Sequence, residues 1–300
     1  MTKILITGGK GFIAKNITET LCNDYTIIAP DSKELNVLDS DKVYSFITKN
    51  KFDVIIHAAT YDAAPTFSTK DPDKVFENNL KMFYNIARCK DHFGKMIYFG
   101  SGAEFGRENW IPKMNENYIN KNIPINWPYG LSKYIMTKYT NELRDNIYNL
   151  RLFSVFGKYD DWRYRFISNA CYKAVLNMPI TIKQNSILDY LYIDDLVKIT
   201  KWFIENKPKN NVYNICSGSV FNCKTLAEKI KYISSKDINI KIIDTSKKNE
   251  YSGDNTLLLN EMNYDEFIGW HGHQNLDGTH WIMNDRAKCK DRSILFSKIV

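Results

Sequence analysis

Nowhere in the 300 residues does an apolar run extend far enough to span a bilayer. The N-terminus, MTKILITGGKGF, reads as a strand followed by a glycine turn and not as an export signal. A cytoplasmic protein with no membrane partner is therefore expected. The six cysteines, Cys22, Cys89, Cys171, Cys216, Cys223 and Cys289, are scattered and contain no CxxC pair, so neither a zinc ribbon nor a disulfide framework is indicated. They read as small buried apolar residues. Glycine and proline, 14 and 8 in number, never gather into a linker, and there is no internal repeat or low-complexity tract. The net charge of +7 lacks the clustering of a nucleic-acid surface, because Lys and Arg alternate with acids along the chain. A solvated lysine-rich surface and no nucleic-acid partner are expected, with a mildly positive potential that suits a diphosphate-bearing substrate.

What is present is an ordinary globular composition, long enough for one large domain or two smaller ones. The first half alternates short apolar runs with helical patterns. KILIT (3–7), YTIIA (25–29), DVIIH (53–57), KMIYFG (95–100) and YNLRLF (148–153) have no polar alternation, as expected of strands covered on both faces. Helical patterns occupy 12–22, 40–50, 72–93 and 129–145. That order predicts an α/β fold with a doubly wound parallel sheet. After Phe153 the rhythm breaks: helices are expected over 163–178, 195–206 and 225–234, with short strands at ITIK, LDYLYI and VYNIC. The expected division is a nucleotide-binding domain over 1–155 with part of 186–206, and an interleaved α/β substrate lobe over 156–185 and 207–300. Ligands of such sheets sit beyond the carboxyl ends of the strands.

Directly after the first strand stands GGKGFIA (8–14), a glycine turn opening a helix. Gly8 and Gly11 let the backbone approach a pyrophosphate, whose charge is stabilised by the amides of Phe12 and Ile13 at the helix N-terminus. At the end of the second strand, Asp31 is placed to accept from a ribose 2′-hydroxyl and to repel a 2′-phosphate, while Ser32 and Lys33 could do the opposite. Pro30-Asp31-Ser32 could equally be a plain turn. In YGLSK (129–133) the i, i+4 spacing puts Tyr129 and Lys133 on one helix face, where the ammonium could lower the phenol's pKa and make it an acid/base.

These motifs, with HAA (57–59), NNL (78–80), GSGAEFG (100–106), RLF (151–153), LDYLYIDDL (188–196) and VYNI (212–215), resemble the extended short-chain dehydrogenase/reductase family from residue 1 to about 235. The segment ELNVLD (34–39) is similar to that of GDP-fucose synthase and dTDP-dehydrorhamnose reductase within it. The resemblance implies a Rossmann-type fold, NAD(H) or NADP(H) with a lean to NAD(H), a nucleotide-sugar substrate and a homodimer. It implies a catalytic set of Ser101, Tyr129 and Lys133, Lys133 also holding the nicotinamide ribose. Asn36 and Val37 correspond to positions beside the adenine, Ala58 and Ala59 to the cofactor lining, and Asn78 to the nicotinamide end.

Departures narrow the reaction. Gly102 and Ala103 stand where the family's dehydratases carry an Asp-Glu pair, so elimination of water lacks its acid and base. Leu188 stands where epimerases and GDP-fucose synthase have a diphosphate-binding arginine. Arg165 aligns with a histidine of GDP-fucose synthase, which puts a 3,5-epimerase activity in doubt. Glu104, Ser154, Arg163, Arg165 and Lys183 are the candidates for the substrate side. The expected reaction is NAD(P)-dependent reduction of a nucleotide-linked 4-keto-6-deoxy sugar; alternatives are a 4-epimerase with tightly bound NAD and a catalytically silent cofactor-binding regulator. Asp194-Asp195 is expected to cap a helix. His271, His273 and His280 lack carboxylate or cysteine partners in register, so no metal site is expected. The stretch 269–300 matches nothing in the family pattern.

Overall fold

The computed structural model describes residues 1–262 apart from positions 66, 122, 144, 247 and 248. The first part of the chain forms β1 (Lys3–Thr7), α1 (Phe12–Leu21), β2 (Thr26–Ile28), α2 (Ser40–Asn50), β3 (Val54–His57), α3 (Val75–Ala87), β4 (Lys95–Ser101), α4 (Pro128–Leu143) and β5 (Ile147–Leu152). There follow β6 (Ser154–Phe156), α5 (Phe166–Val175), β7 (Ile180–Gln184), β8 (Ile187–Tyr192), α6 (Ile193–Glu205) and β9 (Val212–Ile215). The described chain ends with β10 (Val220–Asn222), α7 (Cys223–Ser234), β11 (Ile240–Asp244) and α8 (Thr256–Glu261).

Six strands pair in parallel in the order β2-β1-β3-β4-β5-β9. Because successive strand residues face opposite sides, β1 feeds two cores. Ile4 and Ile6 pack with Ile17 of α1 and Phe203 of α6. Leu5 packs with Val43 of α2, Phe83 of α3 and Met136 of α4. Covering on both faces explains why these strands read as unbroken apolar runs, and the result is the expected Rossmann-type doubly wound fold.

At Leu152 the chain leaves the large sheet. It builds a three-stranded sheet, β10-β8-β6, and a parallel pair, β11-β7. Helices α5 and α7 close a separate core over β7 around Ala170, Ile180, Ile182 and Ala227.

Three expectations change. β9, assigned from sequence to the smaller lobe, is the sixth strand of the large sheet, and Leu258 of α8 joins that sheet's core. All four residues of VYNI are buried, so the run carried the signature of a doubly covered strand. The helix expected over 72–93 is α3 alone, flanked by 3-10 turns at Pro72–Lys74 and Lys90–His92. Asp194 and Asp195 do not cap α6; Tyr192 holds the capping position and both acids lie in the first turn, where unpaired amides favour negative charge. No helix among the described residues is long and apolar enough to cross a membrane. The histidines 271, 273 and 280 lie outside the described residues, as does the stretch 269–300.

Candidate active site

The carboxyl ends of β3, β4 and β5 open onto one cavity of about 340 Å³. Phe12 and Ile13 from the start of α1 line it, as do Ala58 and Ala59 after β3 and Ser101 at the end of β4. The glycine turn is sterically enforced. Gly8 has φ +73°, and a Cβ there would meet the Ala59 Cα at 2.9 Å; on Gly9 it would meet the Ala29 carbonyl oxygen at 2.0 Å. Gly11 caps α1 without a side chain and its N–H donates to the Gly8 carbonyl, which leaves the first amides of α1 open toward a ligand. The turn lies against the end of β2, because Gly9 N–H donates to the Pro30 carbonyl. This cradle fits the pyrophosphate of a dinucleotide.

Asp31 is tied into the turn in two ways. Its carboxylate accepts from the Lys33 and Glu34 amides and forms an ion pair with Lys10 of the glycine turn. The Lys10 contact and those amides pull its pKa down to about 2. Its charge is thus partly offset by Lys10, which weakens the repulsion of a 2′-phosphate on which the lean to NAD(H) rests. Ser32 and Asn36 are exposed, and the Asn36 side chain accepts from the Leu38 amide. Val37 is buried in the core, its carbonyl bonded by Asn85. None of these residues lines the cavity.

Tyr129 and Lys133 stand one turn apart on α4, where Pro128 occupies the first helical position and needs no amide partner. Both line the cavity beside Ser101, whose hydroxyl oxygen accepts from the Ala103 amide at 3.2 Å. The electrostatics differ from expectation. The Lys133 ammonium donates to the Phe99 carbonyl at 2.9 Å and lies 5.7 Å from the Tyr129 ring centroid. Burial lowers its pKa to about 8, against the pull of Glu104. Burial raises the Tyr129 phenol above its ordinary value and Asp62 adds to this, outweighing hydrogen bonding from Ser101 and Thr60 and the Arg165 charge. In the surroundings the chain itself provides, the phenol is a neutral proton donor. His57 is buried against Thr7 Oγ1 at 2.8 Å, and burial, then the Lys133 charge, lower it to about 3, so it stays uncharged.

The substrate-side candidates divide. Ser154 and Arg165 line the cavity, Arg165 from the capping position of α5, and Leu188 presents an apolar wall. Arg163 does not. Its guanidinium makes two 2.9 Å bonds to Asp161 and lies over the Phe67 ring. Lys183 is exposed on β7, away from the cavity. Glu104 is fully buried beneath the site, paired with Arg151 and accepting from Thr137 at 2.7 Å; as a buried ion-pair partner it is not a substrate contact. Asn78 is half-buried on α3 and outside the lining. Its neighbour Asn79 holds Thr60, Tyr61 and the Val75 carbonyl and so fixes the loop after β3.

Several lining residues carried no sequence signal. Arg107 lies 4.3 Å over the Trp127 ring, Trp110 packs beside Trp127, and Tyr251 packs on Trp110. Asp62 comes from the loop after β3. Asp160 accepts from Ser168 at 2.8 Å and is raised by burial to about 6. Only the position of Arg107, directly after the closing glycine of GSGAEFG, could have drawn notice. Among the described residues no cluster of His, Cys, Asp or Glu could hold a metal ion.

Residues 4–216 match the NAD dependent epimerase/dehydratase family. The ADP-L-glycero-D-manno-heptose-6-epimerase of Brachyspira hyodysenteriae is 27% identical, over 77% of this chain and 80% of that one. The dTDP-4-dehydro-6-deoxyglucose reductase of Escherichia coli is 26% identical over 89% and 92% of the two chains. Among solved structures, the GDP-mannoheptose C4 reductase of Campylobacter jejuni with NADP bound superposes with a TM-score of 0.76 at 17% identity, over 90% of this chain and 98% of that one. At that identity the likeness establishes the fold.

Proposed function

The chain belongs to the NAD dependent epimerase/dehydratase family, and from that premise we propose that it reduces the ketone of a nucleotide-linked 4-keto-6-deoxy sugar, with NADH or NADPH as co-substrate. The observation that carries this reading is the meeting of Ser101, Tyr129 and Lys133 in one cavity beside the glycine turn, with the phenol held protonated. Reduced nicotinamide supplies the hydride when bound. As the carbonyl carbon gains it, the O–H bond of Tyr129 breaks and a new O–H bond forms on the sugar oxygen. The phenolate left behind lies beside the Lys133 ammonium, and the Ser101 hydroxyl steadies the same sugar oxygen. The Gly8–Gly11 turn and the amides of Phe12 and Ile13 hold the cofactor diphosphate. Arg165 and Arg107 bring positive charge to the sugar-linked diphosphate in place of the arginine absent at Leu188. Gly102 and Ala103 offer no acid or base, which argues against dehydration.

The test is turnover of a nucleotide-linked 4-keto-6-deoxyhexose with NADH or NADPH. One cofactor should be oxidised per sugar reduced, and Tyr129→Phe should bind cofactor normally yet lose several orders of magnitude in kcat. Near-normal turnover in the variant sinks the assignment of Tyr129. Interconversion of sugars without net cofactor oxidation replaces reduction by epimerisation.

A further inference from the structure

Tyr251 lies beyond the span of the family match and outside every motif, yet it is buried in the wall of the cavity. Its ring packs against Trp110 at 4.1 Å and Phe153 at 5.1 Å between centroids. A Cβ on Gly102, the residue after Ser101, would stand 2.8 Å from its hydroxyl oxygen. The phenol therefore fills the space that a side chain at position 102 would take. The segment carrying it is clamped on both sides. Tyr251 N–H donates to the Ile187 carbonyl and its own carbonyl accepts from the Asp189 amide, both at 3.0 Å; the next residue, Ser252, accepts from the Met114 amide at 3.1 Å and, through its hydroxyl, from the Lys113 amide at 2.8 Å. A hydroxyl fixed this way is preorganised.

Hydrogen bonding with Ser101 draws the phenols of both Tyr129 and Tyr251 down against the upward push of burial. A serine hydroxyl has two acceptor positions and one proton to give. The Ala103 amide fills one acceptor position. We propose that Tyr251 is a positioning residue for the reaction: it donates its O–H to Ser101 Oγ, fills the second acceptor position and leaves the Ser101 proton free only toward Tyr129 and the sugar oxygen. This rests on the reading of Ser101, Tyr129 and Lys133 as the catalytic set.

Tyr251→Phe keeps the ring packed on Trp110 and Phe153 and removes only the hydroxyl. It should lower kcat about tenfold, the worth of one well-placed hydrogen bond, with KM for the sugar nucleotide and the affinity for cofactor within about twofold of the parent. Because its effect runs through Ser101, the double variant Ser101→Ala/Tyr251→Phe should be no slower than Ser101→Ala alone. An unchanged kcat in Tyr251→Phe overturns the proposal, as do additive losses in the double variant. A raised KM with kcat unchanged overturns it too, by making Tyr251 a simple binding contact. If Tyr129→Phe is inactive while Tyr251→Phe is normal, only this inference fails. Should Tyr129→Phe retain activity, the underlying reading fails with it.

Discussion

Two arginines two residues apart end in different surroundings, and the difference is electrostatic. Arg163 is held by both oxygens of Asp161 and so has its partner within the protein. Arg165 reaches the cavity wall and acts on Tyr129, Tyr251 and Asp160. A planar guanidinium there can meet two phosphate oxygens at once. Arg165→Ala should accordingly raise KM for the sugar nucleotide at least about tenfold, equivalent to about 1.4 kcal/mol, while Arg163→Ala leaves it within about twofold. Steady-state kinetics of the two variants decide, and the reverse pattern would move the role to Arg163. At this scale the sequence named the chemistry better than the partners. It singled out Tyr129, Lys133 and Ser101 by motif, but Glu104 looked like a substrate contact because nothing in the chain's order reveals that it meets Arg151, 47 positions later.

The turn after β4 and the strand β5 are joined by that pair. Glu104, in the Gly102–Phe105 turn, and Arg151, next to last in β5, are both fully buried, and Arg151 also donates to Asn214 of β9 at 2.9 Å. The contact fixes the turn that follows Ser101 and lies under Lys133. Replacing one member leaves a buried charge without its partner, so Glu104→Gln should destabilise the fold by about 3 to 5 kcal/mol in urea unfolding. Glu104→Gln/Arg151→Met, which removes both charges, should cost clearly less; an equal or larger loss would deny that the charge imbalance is the cause. Helices and strands of the large sheet were legible from apolar runs and periodicity, down to α2 at Ser40–Asn50. The short strands β6, β10 and β11 were not, since runs of three to five half-buried residues carry too little pattern to separate from loop.

Taken as one body, the protein collects its site from distant parts of the chain: the start of α1 after the glycine turn, the loop after β3, the end of β4, α4, and a segment at Tyr251. A ligand bound across these parts stabilises the whole fold. NADH at about a hundred times its Kd should add about 2.7 kcal/mol and raise Tm by about 5 °C. NADPH at the same concentration should give a smaller shift, and Lys10→Ala should widen the gap, because Asp31 then faces the 2′-phosphate without its cation. A larger shift with NADPH in that variant would place Asp31 away from the ribose. The sequence by itself determined the alternation of strands and helices, the glycine turn and the Tyr129-Lys133 pair, because each depends on residues close together in the chain, where spacing maps directly onto one face or one turn. Only the tertiary structure decided that Arg165 and not Arg163 faces the cavity, that Glu104 neutralises Arg151, and that the Tyr251 phenol stands beside Gly102. Those contacts depend on burial and on neighbours brought together by folding, and a one-dimensional order of residues holds no measure of either.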